Sequence, residues 1–147
     1  MRPALRGVPT LDLYAGLGTF SFALAASGSV HAIEGDAVAV AALAQAAASV
    51  PGVTVERRDL DRAPLEAGEL ARFAAAVFDP PRTGARRQAE ALAASALDTV
   101  VAVSCNPATF ARDAALLVAG GFRLERVVPV DQFVWTPHLE LVASFWR

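Results

Sequence analysis

Few side chains in this sequence can do covalent chemistry, so where they stand is informative. Cys105 is the one cysteine, in Val103-Ser104-Cys105-Asn106-Pro107. A solitary cysteine in apolar surroundings is most often an inert buried hydrophobe. This one ends a strand-like run and immediately precedes a helix N-terminus, whose partial positive charge favours thiolate over thiol. Asn106-Pro107 has the form of an N-cap with proline in the first helical position. A thiolate there could serve as a nucleophile. The acid best placed to partner it is Glu140, in Pro137-His138-Leu139-Glu140-Leu141. Period-two alternation puts His138 and Glu140 on one face of a strand and Leu139 and Leu141 on the other.

A second constellation lies near the start, in Asp12-Leu13-Tyr14-Ala15-Gly16-Leu17-Gly18-Thr19-Phe20-Ser21. Glycines two apart let backbone approach a ligand, and the helix that follows offers free N–H groups. Alone, such a pair is equally compatible with a tight turn. Its context adds an acid, Glu34, at the end of the next strand, where a carboxylate can accept both ribose hydroxyls of an adenosine cofactor. Asp36 reads as the cap of the following helix and Glu34 as the ligand. Asp59, in Arg57-Arg58-Asp59-Leu60, either takes an adenine amino group or is a solvated loop acid. In Phe78-Asp79-Pro80-Pro81-Arg82 two prolines stiffen a loop. Arg82, Arg86 and Arg87 could meet phosphate or a base edge; for the last two, a solvated helix start is the equal alternative. Phe133 and Trp135 either stack on a base or fill a hairpin loop, and filling is the better reading.

The elements that must position these residues alternate along the chain. Strand-like runs cover Val8–Tyr14, Ser29–Glu34, Val53–Arg57, Ala74–Asp79, Thr99–Cys105, Phe122–Val130 and His138–Trp146. Helical runs cover Thr19–Ala26, Asp36–Ser49, a weak stretch near Pro64–Ala71, Arg86–Leu97 and Pro107–Ala119. Ser27-Gly28 and Gly120-Gly121 are stop signals for the first and last of these. Alternation at this spacing argues an α/β fold, a parallel sheet with helices on both faces. The last connection, Asp131–Pro137, is too short for a parallel crossover, which takes a dozen residues or more. The final two strands should therefore pair antiparallel. Gly16, Glu34, Asp79, Cys105 and Glu140 then converge on one rim, where open α/β sheets bind ligands.

Composition bounds the alternatives. A chain of 147 residues, 54 % apolar, is one domain with a sizeable core. Thirteen basic against fifteen acidic side chains, a net charge of −2, argue against a strongly basic nucleic-acid module. All the basic residues are arginine. A single cysteine excludes an internal disulfide and offers no cysteine-based zinc cage, so no metal is expected. No apolar run reaches the ~18 residues of a membrane span, and Met1–Gly7 does not open a secretory signal. The expected setting is cytoplasmic, without a membrane partner.

A parallel sheet closed by an antiparallel hairpin resembles S-adenosylmethionine-dependent methyltransferases rather than dinucleotide-binding proteins. More specifically, Asp12–Ser21, Phe78–Gly84, Val103–Leu117 and Asp131–Arg147 resemble the catalytic domain of the RNA (uracil-5-)-methyltransferase family, which makes 5-methyluridine in transfer and ribosomal RNA. Ser-Cys-Asn-Pro-Ala-Thr with a downstream His-x-Glu is the most specific part. The resemblance implies a Rossmann-like class I methyltransferase fold, S-adenosyl-L-methionine as cofactor and RNA as partner. It implies Cys105 as nucleophile, forming an adduct at carbon 6 of uracil, and Glu140 as proton acceptor. Tyr14, Thr19, Glu34 and Asp79 fall on cofactor positions beside Gly16, Gly18 and Asp59. Arg82, Asn106 and His138 are assigned to the substrate side, His138 to orient the loop. Ribosomal RNA is slightly favoured over transfer RNA.

The departures are specific. Family members begin with further domains, often a small RNA-binding β-barrel, so residues 1–147 are expected to be one catalytic domain without them. A cofactor-touching glutamine ahead of the first strand has no counterpart. Ala15 replaces a common cysteine, and Thr19 stands where asparagine is frequent. The competing readings are an inactive cofactor- or RNA-binding module, an amino-methyltransferase using the Asp-Pro-Pro loop, and methylation of cytosine carbon 5. Amino-methyltransferases need an aromatic residue where Arg82 stands, and related cytosine enzymes commonly carry a second cysteine.

Overall fold

The computed structural model describes residues 7–131, 135 and 139–147. Its seven-stranded sheet comprises β1 (Thr10–Leu13), β2 (Val30–Glu34), β3 (Val53–Arg57), β4 (Ala75–Phe78), β5 (Thr99–Ser104), β6 (Arg123–Val130) and β7 (Glu140–Trp146). The helices are α1 (Thr19–Ala25), α2 (Ala37–Ala47), α3 (Ala67–Leu70), α4 (Arg86–Ala94) and α5 (Pro107–Ala119). The strand order is β3-β2-β1-β4-β5-β7-β6. The first five strands pair in parallel, while β7 runs antiparallel to both neighbours. The expected C-terminal hairpin is therefore present, with β7 inserted between β5 and β6.

The order reverses at β1, between β2 and β4, which leaves a crevice at the carboxyl ends of those strands. Both are wholly or largely buried, and β1 and β4 have no exposed position, as central parallel strands require. On one face Leu11, Leu13, Phe78, Val100 and Phe145 join Leu92 of α4 and Leu117 of α5 in the main core. On the other, Ala32 and Val55 meet Phe22 of α1 and Leu43 of α2 in a smaller cluster.

Several elements are shorter than the sequence suggests. The first strand ends at Leu13, not Tyr14, because Tyr14 turns to φ 62°. Helix α4 stops at Ala94 rather than Leu97. Ser95 takes an extended backbone, its hydroxyl donates to the Leu92 carbonyl at 2.7 Å, and the Leu97 N–H donates back to that hydroxyl at 3.3 Å. The last residue reinforces this stop. Arg147 donates to the carbonyls of Ser95, Ala93 and Gly120, and its guanidinium lies over the Phe122 ring, 4.1 Å from the centroid. A cation at two helix C-termini suits the dipoles of both. The weak third helix shrinks to Ala67–Leu70, closed by a capping box between Glu66 and Glu69.

Candidate active site

The glycine turn is built as its spacing demands. Gly16 and Gly18 take φ 55° and 90°, which glycine alone adopts freely. A Cβ on Gly18 would lie 2.4 Å from Leu43 Cδ1 and 2.8 Å from Phe22, so that position is closed to a side chain. A Cβ on Gly16 would meet nothing within 4 Å, so open space lies before it. Thr19 opens α1 directly behind the turn and is exposed.

Glu34 fastens this turn to its own strand end. One carboxylate oxygen accepts the Gly16 N–H at 2.8 Å and the other the Asp36 N–H at 2.8 Å. Asp36 caps α2, accepting from Val38 N–H at 3.0 Å and Ala39 N–H at 2.8 Å. The carboxylate retains acceptor capacity beyond these two bonds. It opens into a cavity of about 330 Å³ that Tyr14, Asp59, Leu60, Asp79 and Pro81 also line. Asp59 organises its own loop, accepting from the N–H groups of Asp61 at 3.1 Å and Arg62 at 3.2 Å. The Tyr14 hydroxyl donates to Asp61 at 3.0 Å, and burial followed by the Asp61 charge pushes its pKa up. The four predicted residues Tyr14, Glu34, Asp59 and Asp79 thus share one cavity. A larger concavity, about 520 Å³, opens at the amino ends of β1 to β4 among Pro9, His31 and Phe73, and holds none of them. Ligands of open parallel sheets bind at the carboxyl ends, so the smaller cavity is the candidate site.

The thiol and the acid stand at adjacent strand ends. In the β5–β7 ladder Val103 faces Val142 and Ser104 faces Leu141. Cys105 directly follows Ser104 and Glu140 directly precedes Leu141, so both stand at the same end of the ladder, each partly exposed. Burial, and after it the charge of Glu140, raises the pKa of Asp79 above the ordinary aspartate value.

The loop behind Cys105 is tied down by Asn106. Its Oδ1 accepts the Ala108 N–H at 3.0 Å as the N-cap of α5, and its Nδ2 donates to the Arg82 carbonyl at 3.0 Å. Thr109 adds a bond to that carbonyl at 3.2 Å. Asn106 is a strut between the Cys105 turn and the Asp79-Pro80-Pro81-Arg82 loop.

A family model described as tRNA (uracil-5-)-methyltransferase matches residues 53–145. The chain belongs to that family. An uncharacterized RNA methyltransferase of Brucella melitensis is 53 % identical over 135 residues, covering 90 % of this chain and 32 % of the relative. The 23S rRNA (uracil(1939)-C(5))-methyltransferase RlmD of Chromohalobacter salexigens is 43 % identical over 140 residues, covering 93 % and 29 %. The chain thus spans about a third of the length of these relatives. The Pyrococcus abyssi tRNA (uracil-54, C5)-methyltransferase, solved with S-adenosyl-L-homocysteine, superposes with TM-score 0.82 at 33 % identity, over 95 % of this chain and 34 % of that one. An S-adenosylmethionine-dependent methyltransferase of Mesorhizobium loti, 17 % identical with TM-score 0.75, shares the fold. The fold is that of the class I methyltransferases.

Within this family member, the sequence reading passed over Asp12. It is fully buried in β1 beneath the glycine turn, accepts the Ser21 hydroxyl on one oxygen, and has no partner for Oδ1 among the described residues. The available signal was an acid inside the apolar run Leu11-Asp12-Leu13. Trp135 corrects the expectation for the hairpin loop: it is 100 % exposed at φ 66°, so it fills nothing. Phe133 and His138 lie outside the described residues. Among those described, no group of histidine, cysteine and acids could hold a metal, and no helix is long and apolar enough to cross a membrane.

Proposed function

We propose that this chain carries the catalytic machinery of an S-adenosylmethionine-dependent methyltransferase acting on carbon 5 of uridine in RNA. The observation that supports it most is the β5–β7 register, which pairs Ser104 with Leu141 and so leaves the cysteine after the one and the carboxylate before the other at the same end of the ladder. An adenosine-based methyl donor suits the residues present. Space is open before Gly16, Glu34 retains acceptor capacity suited to ribose hydroxyls, and the buried Oδ1 of Asp12 lacks a donor among the described residues. Tyr14, Thr19, Asp59 and Asp79 complete that binding set, with Asp59 at the adenine end. When bound, S-adenosyl-L-methionine supplies the electrophilic methyl carbon.

Carbon 5 of uracil is a poor nucleophile, and the thiolate of Cys105 remedies this by adding to carbon 6. The ring electrons move to the carbonyl oxygen as an enolate, and carbon 5 becomes nucleophilic. Once carbon 5 carries the methyl group, Glu140 removes the proton there; the carbon 5–carbon 6 double bond re-forms and the thiolate of Cys105 leaves. The uridine must be unstacked to reach Cys105. Asn106 and Arg82 shape the substrate side, with His138 orienting the adjacent loop. Ribosomal RNA is favoured over transfer RNA, supported by 43 % identity to a ribosomal enzyme against 33 % to a transfer-RNA one. The domain calls for RNA-recruiting parts of the kind family members carry, and the expected setting is cytoplasmic.

The test is RNA containing 5-fluorouridine, whose carbon 5 cannot release a proton. With cofactor present, the wild type should form a denaturant-stable protein–RNA adduct and Cys105→Ala none. An adduct with the variant would assign the nucleophile elsewhere, and none with the wild type would refute the carbon 5 reading.

A further inference from the structure

The loop between β4 and α4 carries Asp79 of the candidate cavity and, three residues on, Arg82. Its backbone is held by one face of α5, the helix that starts just after Cys105. The cap residue Asn106 and Thr109 both donate to the Arg82 carbonyl, at 3.0 and 3.2 Å. Arg112 donates to the next carbonyl, that of Thr83, at 3.1 Å. Asp113 accepts the Ala85 N–H at 2.8 Å. Arg112 and Asp113 follow Thr109 by three and four residues, so the three share a helix face. Gly84 permits the close approach. It takes φ 73°, and a Cβ there would lie 2.7 Å from Asp113 Oδ2 and run into the Arg112 guanidinium.

The Arg112–Asp113 pair does more than close a helix end. Ala85 brings no side-chain cap to α4, and Asp113 takes the Ala85 N–H from across the interface. An uncharged acceptor would serve that purpose without burying a charge. Asp113 is 3 % exposed, and a buried carboxylate is costly unless it is paired and hydrogen-bonded. Arg112 supplies the pairing. Its Nε and a terminal nitrogen both lie 2.8 Å from Asp113 Oδ1, and that terminal nitrogen also reaches the Thr83 carbonyl. The planar fork fixes the direction of these bonds; a lysine ammonium would keep the charge without the geometry. Pro80 and Pro81 stiffen the stretch between this anchorage and Asp79, so a displacement at Thr83 is passed along the loop.

We propose that Arg112 and Asp113 are positioning residues of the methyl-transfer reaction. They act through the loop: the pair locks Asp79 and Arg82 to the helix that begins at the Cys105 turn, so cofactor and uracil meet the thiolate in one geometry. The inference rests on the reading of Cys105 as nucleophile. Misplacing reacting groups by about 1 Å costs on the order of a hundredfold in rate, so rate and not affinity should carry the effect.

The test is single-turnover adduct formation by the full chain with S-adenosylmethionine and RNA containing 5-fluorouridine, over a range of RNA concentrations. Arg112→Lys keeps a charge beside Asp113 and loses the fork. Asp113→Asn keeps an acceptor for Ala85 and loses the ion pair. Each should lower the limiting rate at saturating RNA at least tenfold. The half-saturating RNA concentration and the affinity for S-adenosylhomocysteine should stay within twofold of wild type. Thermal melts give the folded fraction. A lower midpoint with an unchanged limiting rate per folded molecule would make the pair a structural cap and overturn the proposal; so would a rise in half-saturating RNA alone. Arg112→Lys alters a partly exposed side chain and decides the matter if Asp113→Asn does not fold. A reactive wild type beside unimpaired variants overturns this inference alone, whereas a wild type that forms no adduct overturns the Cys105 reading with it.

Discussion

Replacing Asp12 with asparagine should stabilise the protein at neutral pH, and the gain should vanish in acid. Burial pushes this carboxyl from 3.8 up to about 6; the Ser21 bonds oppose the shift, and the charges of Asp79 and Glu34 add to it. Between those two values the folded state holds the proton more tightly than the unfolded chain, so stability falls as pH rises through the window. Above about 6 the penalty is complete. A gap of roughly two units at ~1.4 kcal/mol each gives about 3 kcal/mol. Asparagine can still accept the Ser21 hydroxyl, and it leaves one buried polar atom without a partner, as aspartate does. Those costs cancel to first order. Urea unfolding at intervals from pH 4 to pH 7 should show the variant's advantage growing from near zero to about 2–3 kcal/mol. A difference independent of pH, or a variant less stable at pH 7, would refute the argument. Groups held at such a cost are a recurrent mark of sites that trade stability for function. The stabilised variant should accordingly bind S-adenosylhomocysteine more weakly.

The remaining expectations concern the rim. Glu140→Gln should allow thiolate addition and methyl transfer but not proton removal, so ordinary uridine RNA should leave a shifted protein–RNA band on a denaturing gel; full turnover without that band would make Glu140 structural. Glu34→Ala should lose S-adenosylhomocysteine binding by calorimetry, and the freed N–H groups of Gly16 and Asp36 should lower stability by about 1–3 kcal/mol each where water does not replace the carboxylate. Trp135→Ala should leave the thermal midpoint unchanged, since a fully exposed ring contributes no burial, while weakened RNA affinity would reveal a stacking role.

Much of this architecture is written in local pattern. Strand–helix alternation, the short last connection and the Asn106-Pro107 start of α5 each depend on neighbours in sequence, and each predicts an element that the fold contains. The same holds for Asp36, which caps α2 through amides two and three residues away. The shared cavity of Tyr14, Glu34, Asp59 and Asp79 was legible for a related reason: parallel strands deliver their carboxyl ends to one edge, whatever the loops do between them. The unforeseen features depend on long-range packing. Whether an acid inside β1 is paired is settled by Ser21 on a helix, and what its charge costs by burial and by Asp79 and Glu34 beyond the strand. The early end of α4 lies with Ser95 and with Arg147, 52 residues further along the chain. Periodicity assigns a side chain to a face, but burial, the partner of a polar atom and the sum of charges around it are properties of assembled neighbours, and these come together only when the sheet and its helices pack.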